Sequence, residues 1–160
     1  MAIAPTVLEE AAARLARGET VFTIRMGETL AHYGWMVREQ RWSYSTEVYQ
    51  SIPMPRESVA LYDYYTHVRY RRRGLYRATL AHMTRWACDE PGTSWAYIST
   101  LADNRPSRHV IESTGFSYQG SLFWERRWFR VRRWGDVRLG ARPGRGDATP
   151  RSARPHRADQ

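Results

Sequence analysis

A glycine-containing basic turn, Tyr70-Arg71-Arg72-Arg73-Gly74-Leu75-Tyr76, separates a strand-like run from a helix-like run and constrains this chain more than any other segment. A strand that feeds a helix through such a turn leaves several backbone N–H groups unpaired at the positive end of the helix dipole, and that end is an anion site. Phosphate is the anion that matches it best.

The flanking patterns supply the rest of the order. Thr6 and Glu9 have capping-box spacing, and Val7, Leu8, Ala11, Ala12, Leu15 and Ala16 recur at helical period until Gly18. From Thr20 to Met26 the period drops to two, and Gly27-Glu28 turns the chain into a second strand through Leu30 to Val37. Residues 40 to 57 are ambiguous, with Pro53 and Pro55 marking a loop. Ser58 to Val68 reads as a strand, and Leu75, Ala78, Thr79, Met83, Trp86 and Ala87 line one face of a helix that ends by Pro91-Gly92. Ser94 to Thr100 is a short strand, and Pro106 sits in the first turn of a helix that runs to Gly115. Phe116 to Trp134 gives one or two final strands. The order describes a layered α/β domain over residues 1–134. Residues 135–160, rich in Gly, Pro and Arg, form a tail whose last 20 residues are expected to be disordered.

Charge has to be located before it is used. The net charge is +9, yet residues 1–125 carry 14 arginines against 13 acids, whereas residues 126–160 carry 11 against 3. A nucleic-acid or anionic-surface activity would therefore belong to the C-terminal segment, where Trp124, Trp128, Phe129 and Trp134 interleave with arginine. Nucleic acid is not expected as the main partner. There is no lysine, which excludes a lysine nucleophile. The single cysteine, Cys88, excludes an intrachain disulfide and favours the cytoplasm. No apolar run approaches the roughly 20 residues that cross a bilayer, so no membrane partner is expected. No His, Cys or Asp cluster has metal-ligand spacing, and no metal is expected.

Four segments stand at consistent distances: Leu61-Tyr62-Asp63-Tyr64-Tyr65-Thr66-His67-Val68, the basic turn, Asp103-Asn104-Arg105-Pro106-Ser107, and Ile111-Glu112-Ser113-Thr114-Gly115-Phe116. Together they resemble the acyl-CoA-dependent GNAT N-acetyltransferase superfamily over about residues 20 to 125. Its pyrophosphate-loop signature is Arg or Gln, two residues, Gly, one residue, then Gly or Ala, and Arg71, Gly74 and Tyr76 take those places. Its second signature is an Asn at a strand end, a small residue three later and Gly-Phe eleven and twelve later, matched by Asn104, Ser107, Gly115 and Phe116.

The resemblance implies a mixed, mostly antiparallel sheet flanked by helices, with acetyl-CoA as acyl donor and a primary amine as acceptor. It implies that the N–H groups from Arg72 through Arg73, Gly74 and Leu75 to Tyr76 hold the pyrophosphate, with charge added by Arg71 and Arg73. Thr66 and Val68 occupy the backbone positions that pair with the pantetheine arm. Asn104 corresponds to a residue reaching the pantetheine or acyl end, and it is equally suited to cap a helix. Asp63, the one carboxylate in the strand leading to the loop, is the candidate base; burial among Tyr62, Tyr64 and Tyr65 would raise its pKa, and a structural, hydrogen-bonded aspartate is the alternative. His67 is the second candidate.

The departures from the family pattern are equally specific. Ile111 stands where many members carry an acidic tyrosine, and Tyr76 replaces a small loop residue. One helix within 19 residues stands where members usually have a strand and two helices, so the fold is expected to lack the usual first strand and first helix. These departures keep open a CoA-binding protein without turnover. The acceptor pocket could also need a wall from a second copy, which keeps a homodimer open.

Overall fold

The computed structural model describes residues 5–38, 42–45 and 47–140 of the 160. The hydrophobic periods read from the sequence become α1 (Pro5–Ala16), β1 (Thr20–Met26) and β2 (Thr29–Arg38), with the chain turning at Gly27. Thr6 lies within the first turn of α1 and not ahead of it as a cap. The ambiguous stretch contains a short hairpin, β3 (Trp42–Ser45) with β4 (Gln50–Pro53). β5 (Ser58–Thr66), α2 (Leu75–Asp89), β6 (Trp95–Ile98) and α3 (Arg105–Ser113) follow, and β7 (Leu122–Arg127) with β8 (Arg130–Gly135) closes the described chain.

The main sheet has the order β1-β2-β5-β6, antiparallel except for the β5–β6 pair. A parallel pair needs a crossover, and α2 supplies it by packing over one face of the sheet. Leu75, Thr79, Leu80, Met83 and Ala87 are the buried face of α2. Leu80, Met83 and Ala87 meet Met36, Val59 and Leu61 in the core. Burial of each large side chain there contributes about 1.5–3 kcal/mol. Ala78 is exposed and Trp86 only partly buried, with Trp86 packed edge-on against Phe22. No helix among the described residues is long and apolar enough to cross a membrane.

Two features of β5 govern what the fold can bind. Pairing with β6 covers only Ser58–Leu61, so among the described residues Tyr62 to Thr66 have no strand neighbour on that side. Pairing with β2 shifts between Tyr33↔Tyr65 and Trp35↔Tyr62, so that Gly34 faces both Asp63 and Tyr64. Asp63 takes φ +49° to form this bulge, a conformation that side chains adopt at some cost.

The bulge also changes side-chain parity. Strict alternation would place Asp63 on the same face as Leu61, toward α2; instead Tyr64 takes that face and its hydroxyl meets the Met83 sulfur at 3.4 Å. Gly34 makes room for the Tyr64 ring, because a Cβ at residue 34 would lie 2.5 Å from Cε1 and 2.7 Å from Cδ1. That ring is held by Met83 and by Tyr76, whose ring centre lies 4.8 Å away. Gly34→Ala is therefore expected to destabilise the protein by about 1–3 kcal/mol in urea unfolding, the usual range for overpacking. An unchanged midpoint would show that the ring moves freely.

The last described residues extend beyond the expected domain end. Asp136 N–H donates to the Ser121 carbonyl at 3.1 Å, Arg138 N–H to that of Gln119 at 3.0 Å, and Gly140 N–H to the Tyr97 hydroxyl at 2.8 Å. Residues 136–140 thus lie against the domain. The segment expected to be disordered, residues 141–160, lies outside the described residues.

Candidate active site

The basic turn leaves a run of backbone donors open. β5 stops at Thr66, and a single 3-10 turn, Val68–Tyr70, intervenes before the loop. Val68, expected as a strand position, is instead the first residue of that turn. Its cause is local: Tyr70 N–H donates to the His67 carbonyl at 2.8 Å, and the His67 imidazole accepts from Arg69 N–H at 3.2 Å. Arg72 (φ +61°) and Gly74 (φ +73°) are both left-handed, a pattern that turns successive N–H groups inward. No side chain caps α2, and the N–H groups of Arg72 through Arg77 have no partner among the described residues. Leu75, buried, ties the helix start to the core.

The arginines divide by function. Arg71 donates from Nε to the Thr66 carbonyl at 3.3 Å, so that carbonyl is occupied. The Arg73 guanidinium lies 5.4 Å from the centre of the Tyr70 ring. Arg72 is exposed on the outside of the turn. A phosphate here would meet unpaired backbone N–H groups, a helix dipole and the charge of Arg71 and Arg73.

Tyr76 turns its side chain inward while its N–H stays in the donor run. Its hydroxyl lies 3.1 Å from Ser107 Oγ on α3, and burial holds its pKa above the ordinary phenol value. Asn104 is the cap of α3: its Oδ1 accepts from Ser107 N–H at 3.2 Å. The side chain remains exposed at the helix start, so capping does not withdraw it from the surface beside the loop. Gly115, at φ +98°, ends α3 in the left-handed conformation that a helix stop requires.

Asp63 is not buried among Tyr62, Tyr64 and Tyr65. The bulge turns it onto the α1 side of the sheet, where its side chain is 39% exposed and Oδ2 lies 2.5 Å from Arg14 Nη1. Burial, the condition attached to its role as a base, is not met. Arg14 also contacts Glu10 at 2.5 Å and lies over the Trp35 and Tyr62 rings, 5.0 and 5.1 Å from their centres. These contacts hold its guanidinium pKa above the usual value against the opposing effect of burial. Tyr62 donates to Glu19, and burial followed by that bond holds the phenol protonated. His67 is engaged in the 3-10 turn.

His32 was not singled out by sequence reasoning. It is fully buried on β2, its Nδ1 lies 2.8 Å from Thr66 Oγ1, and its Nε2 has no partner among the described residues. The Tyr64 and Tyr76 rings flank it, each 6.2 Å away. Desolvation lowers its pKa from 6.5 to about 4. Its only sequence signal is parity, since position 32 shares a face with Leu30, Gly34 and Met36 in a period-two strand.

The family model for the acetyltransferase (GNAT) domain matches residues 3–117. The chain therefore belongs to the GNAT acetyltransferase family. Solved structures of similar fold include the acetyltransferase of GNAT family from Streptococcus pneumoniae, 15% identical, with a TM-score of 0.53 over 82% of this chain and 73% of that one. The aminoglycoside N-acetyltransferase AAC(6')-Iy in complex with CoA is 19% identical, with a TM-score of 0.52 over 78% and 96%. The same enzyme with the bisubstrate analogue CoA-S-monomethyl-acetylneamine is 20% identical, with a TM-score of 0.52 over 72% and 79%. No curated protein sequence matches the chain significantly.

The buried histidine has a pH signature. The folded state holds His32 neutral to about pH 4, whereas the unfolded chain takes up its proton near pH 6.5. Its contribution to stability is complete above 6.5 and is lost as pH falls toward 4. Unfolding free energies measured across that window should decline in the wild type, with a shallower slope between about pH 6.5 and 5 for His32→Gln. Equal slopes would exclude His32 as the titrating group.

Proposed function

We propose that the chain transfers an acetyl group from acetyl-CoA to a primary amine by direct attack of the amine on the thioester. The observation that carries this reading is the run of six unpartnered N–H groups from Arg72 to Arg77, set beside the open edge of β5. Phosphate chemistry fits the loop. The edge from Tyr62 to Thr66, about 16 Å long and without a strand partner, although Arg71 holds the Thr66 carbonyl, fits an extended arm that forms strand-like hydrogen bonds. In this reading the pyrophosphate lies on the N–H groups of Arg72 to Tyr76, with Arg71 and Arg73 adding charge, and Asn104 reaches the arm from the start of α3.

Attack requires a neutral amine, a proton acceptor and stabilisation of the oxyanion. In this reading, N–H groups on the open edge of β5 donate to the developing negative charge. Asp63 is the proton acceptor in this proposal. Its carboxylate lies at the bulge on the face away from α2, where an amine can approach the strand without crossing the core. No covalent intermediate on the protein is required, in keeping with the absence of lysine from the sequence.

A second reading, CoA binding without turnover, is favoured by two observations. Ile111 stands where a tyrosine acid would act, and Asp63 is engaged by Arg14. Thiol release from acetyl-CoA across a panel of primary amines separates the two readings. Under the first, Asp63→Asn lowers kcat/KM by about 100-fold while acetyl-CoA affinity is kept. Binding without thiol release by the wild-type protein on every amine supports the second.

The loop itself is tested by calorimetry. Gly74→Glu places a carboxylate at the phosphate and strains a backbone at φ +73°, so acetyl-CoA affinity should fall about tenfold or more. Unchanged affinity would remove the loop from the proposal.

A further inference from the structure

The β7–β8 hairpin is anchored at its root and free at its tip. Gln50 Nε2 donates to the Phe123 carbonyl at 2.7 Å, Tyr49 packs edge-on against Trp124, and Ser121 N–H donates to Asp136 Oδ1 at 2.6 Å. Among the described residues the two strands pair only with each other beyond these contacts, from Leu122↔Gly135 to Arg127↔Arg130. An isolated two-stranded ribbon is marginal in water.

The tip is unsuited to water. Trp128 and Phe129 form the two-residue turn between the strands and are 91% and 99% exposed. Trp128 is held at φ +53°, a turn position that favours glycine or asparagine. Two adjacent aromatics at the end of a ribbon make an apolar wedge. Around it stand Arg126, Arg127, Arg130, Arg132 and Arg133, against the single acid Glu125. Arg127, Arg130 and Arg132 share the register face of Glu125, while Arg126 and Arg133 lie on the other, so the positive charge surrounds the wedge on both sides. Beside the tip is a concavity of about 360 Å³ bounded by Arg127, Arg130, Arg132, Trp128 and Phe129 with Glu125.

We propose that this hairpin tip docks on an anionic lipid surface, with Trp128 and Phe129 entering the interface and the arginine collar meeting the headgroups. Aromatic side chains favour the interface, and guanidinium groups beside them pair with lipid phosphate and carboxylate. The hairpin is less suited to single-stranded nucleic acid, which needs a row of free aromatic faces along a groove. Here Phe123 is stacked on Trp134 at 5.6 Å and Trp124 is engaged edge-on by Tyr49, so these rings are 38–48% exposed against 91% and 99% at the tip. The expectation of no membrane partner rested on the lack of a spanning segment, and a peripheral contact needs none. The tip belongs to a hairpin separate from the sheet that carries the basic loop, so this docking does not depend on the proposed transfer reaction.

Co-sedimentation of the full chain tests it with vesicles of phosphatidylcholine alone and of phosphatidylcholine mixed with phosphatidylserine. The wild-type protein should bind the mixed vesicles and release as salt rises. Trp128→Ser with Phe129→Ser should weaken partitioning at least about tenfold. Arg130→Ser with Arg132→Ser should weaken it about 25-fold, a factor of about five for each basic residue near the surface. Unchanged melting temperatures confirm that both variants fold. The proposal is overturned by equal binding to the two vesicle types, or by tip and wild-type proteins that sediment alike. It is also overturned if vesicles are ignored while the tip variant loses retention on oligothymidylate, or loses a self-association seen by analytical ultracentrifugation. The first of those results would assign the tip to nucleic acid, the second to another copy of this chain.

Discussion

β5 hydrogen-bonds along one edge for nearly its whole length and along the other for only four residues, and the candidate site follows from that asymmetry. Backbone groups on an unpaired edge have to be satisfied by water or by a ligand with its own donors and acceptors. The strand then ends beside a turn whose N–H groups are likewise unclaimed. Both features are properties of the main chain, and the side chains serve largely to hold it: Leu75 fixes the helix start, Tyr64 fills the space over Gly34, and Asn104 sets the first turn of α3. On the proposed reading, a site made this way recognises the repeating polar chemistry of an extended arm and a phosphate. It leaves acceptor choice to other surfaces.

The bulge at Asp63 separates two environments on opposite faces of the same strand. Toward α2 it presents Tyr64, Tyr76 and His32, a dry cluster in which His32 is uncharged and Tyr76 keeps its proton. Toward α1 it presents Asp63 with Arg14, Glu10, Trp35 and Tyr62. α1 buries little apolar surface of its own, since Val7, Leu8 and Leu15 are all exposed. Arg14, only 13% exposed, is thus the chief attachment of that helix to the sheet. A charged contact between two carboxylates and two aromatic faces is sensitive to any other cation that enters the same space, because the attraction is shared and not directional.

Local chemistry was legible in the sequence, and long-range pairing was not. The glycine at residue 74, the cap at Asn104 and the stop at Gly115 each depend on neighbours within a few positions, and each lies where its spacing put it. The order of strands and helices followed from hydrophobic period for the same reason. The bulge escaped notice because Leu61 to Thr66 reads as an unbroken tyrosine-rich strand, and the left-handed residue in it is an aspartate, not a glycine. That one backbone inversion moved Asp63 from a buried position to an exposed one. Val68 was read into β5 because its side chain favours strands, whereas the His67 imidazole and carbonyl close a turn there. His32 looked like any alternating polar residue until β5 brought Thr66 to it.

Ile111 and Tyr76 are best understood together. A chain lacking a phenol on α3 still has one beside α3, because Tyr76 crosses from the first turn of α2 to Ser107, one helical turn before Ile111. The small residue usual at position 76 in the family pattern could not make that contact. With a tyrosine there, α2 and α3 are joined by a hydrogen bond at the end of each helix nearest the basic loop. Burial raises the pKa of this phenol, so near neutrality it is a proton-bearing hydroxyl that can donate a hydrogen bond. Its present partner is Ser107, whose own N–H is held by Asn104. The three residues form one continuous polar chain from the loop side of α2 to the start of α3, which couples the geometry of the donor run to the placement of Asn104.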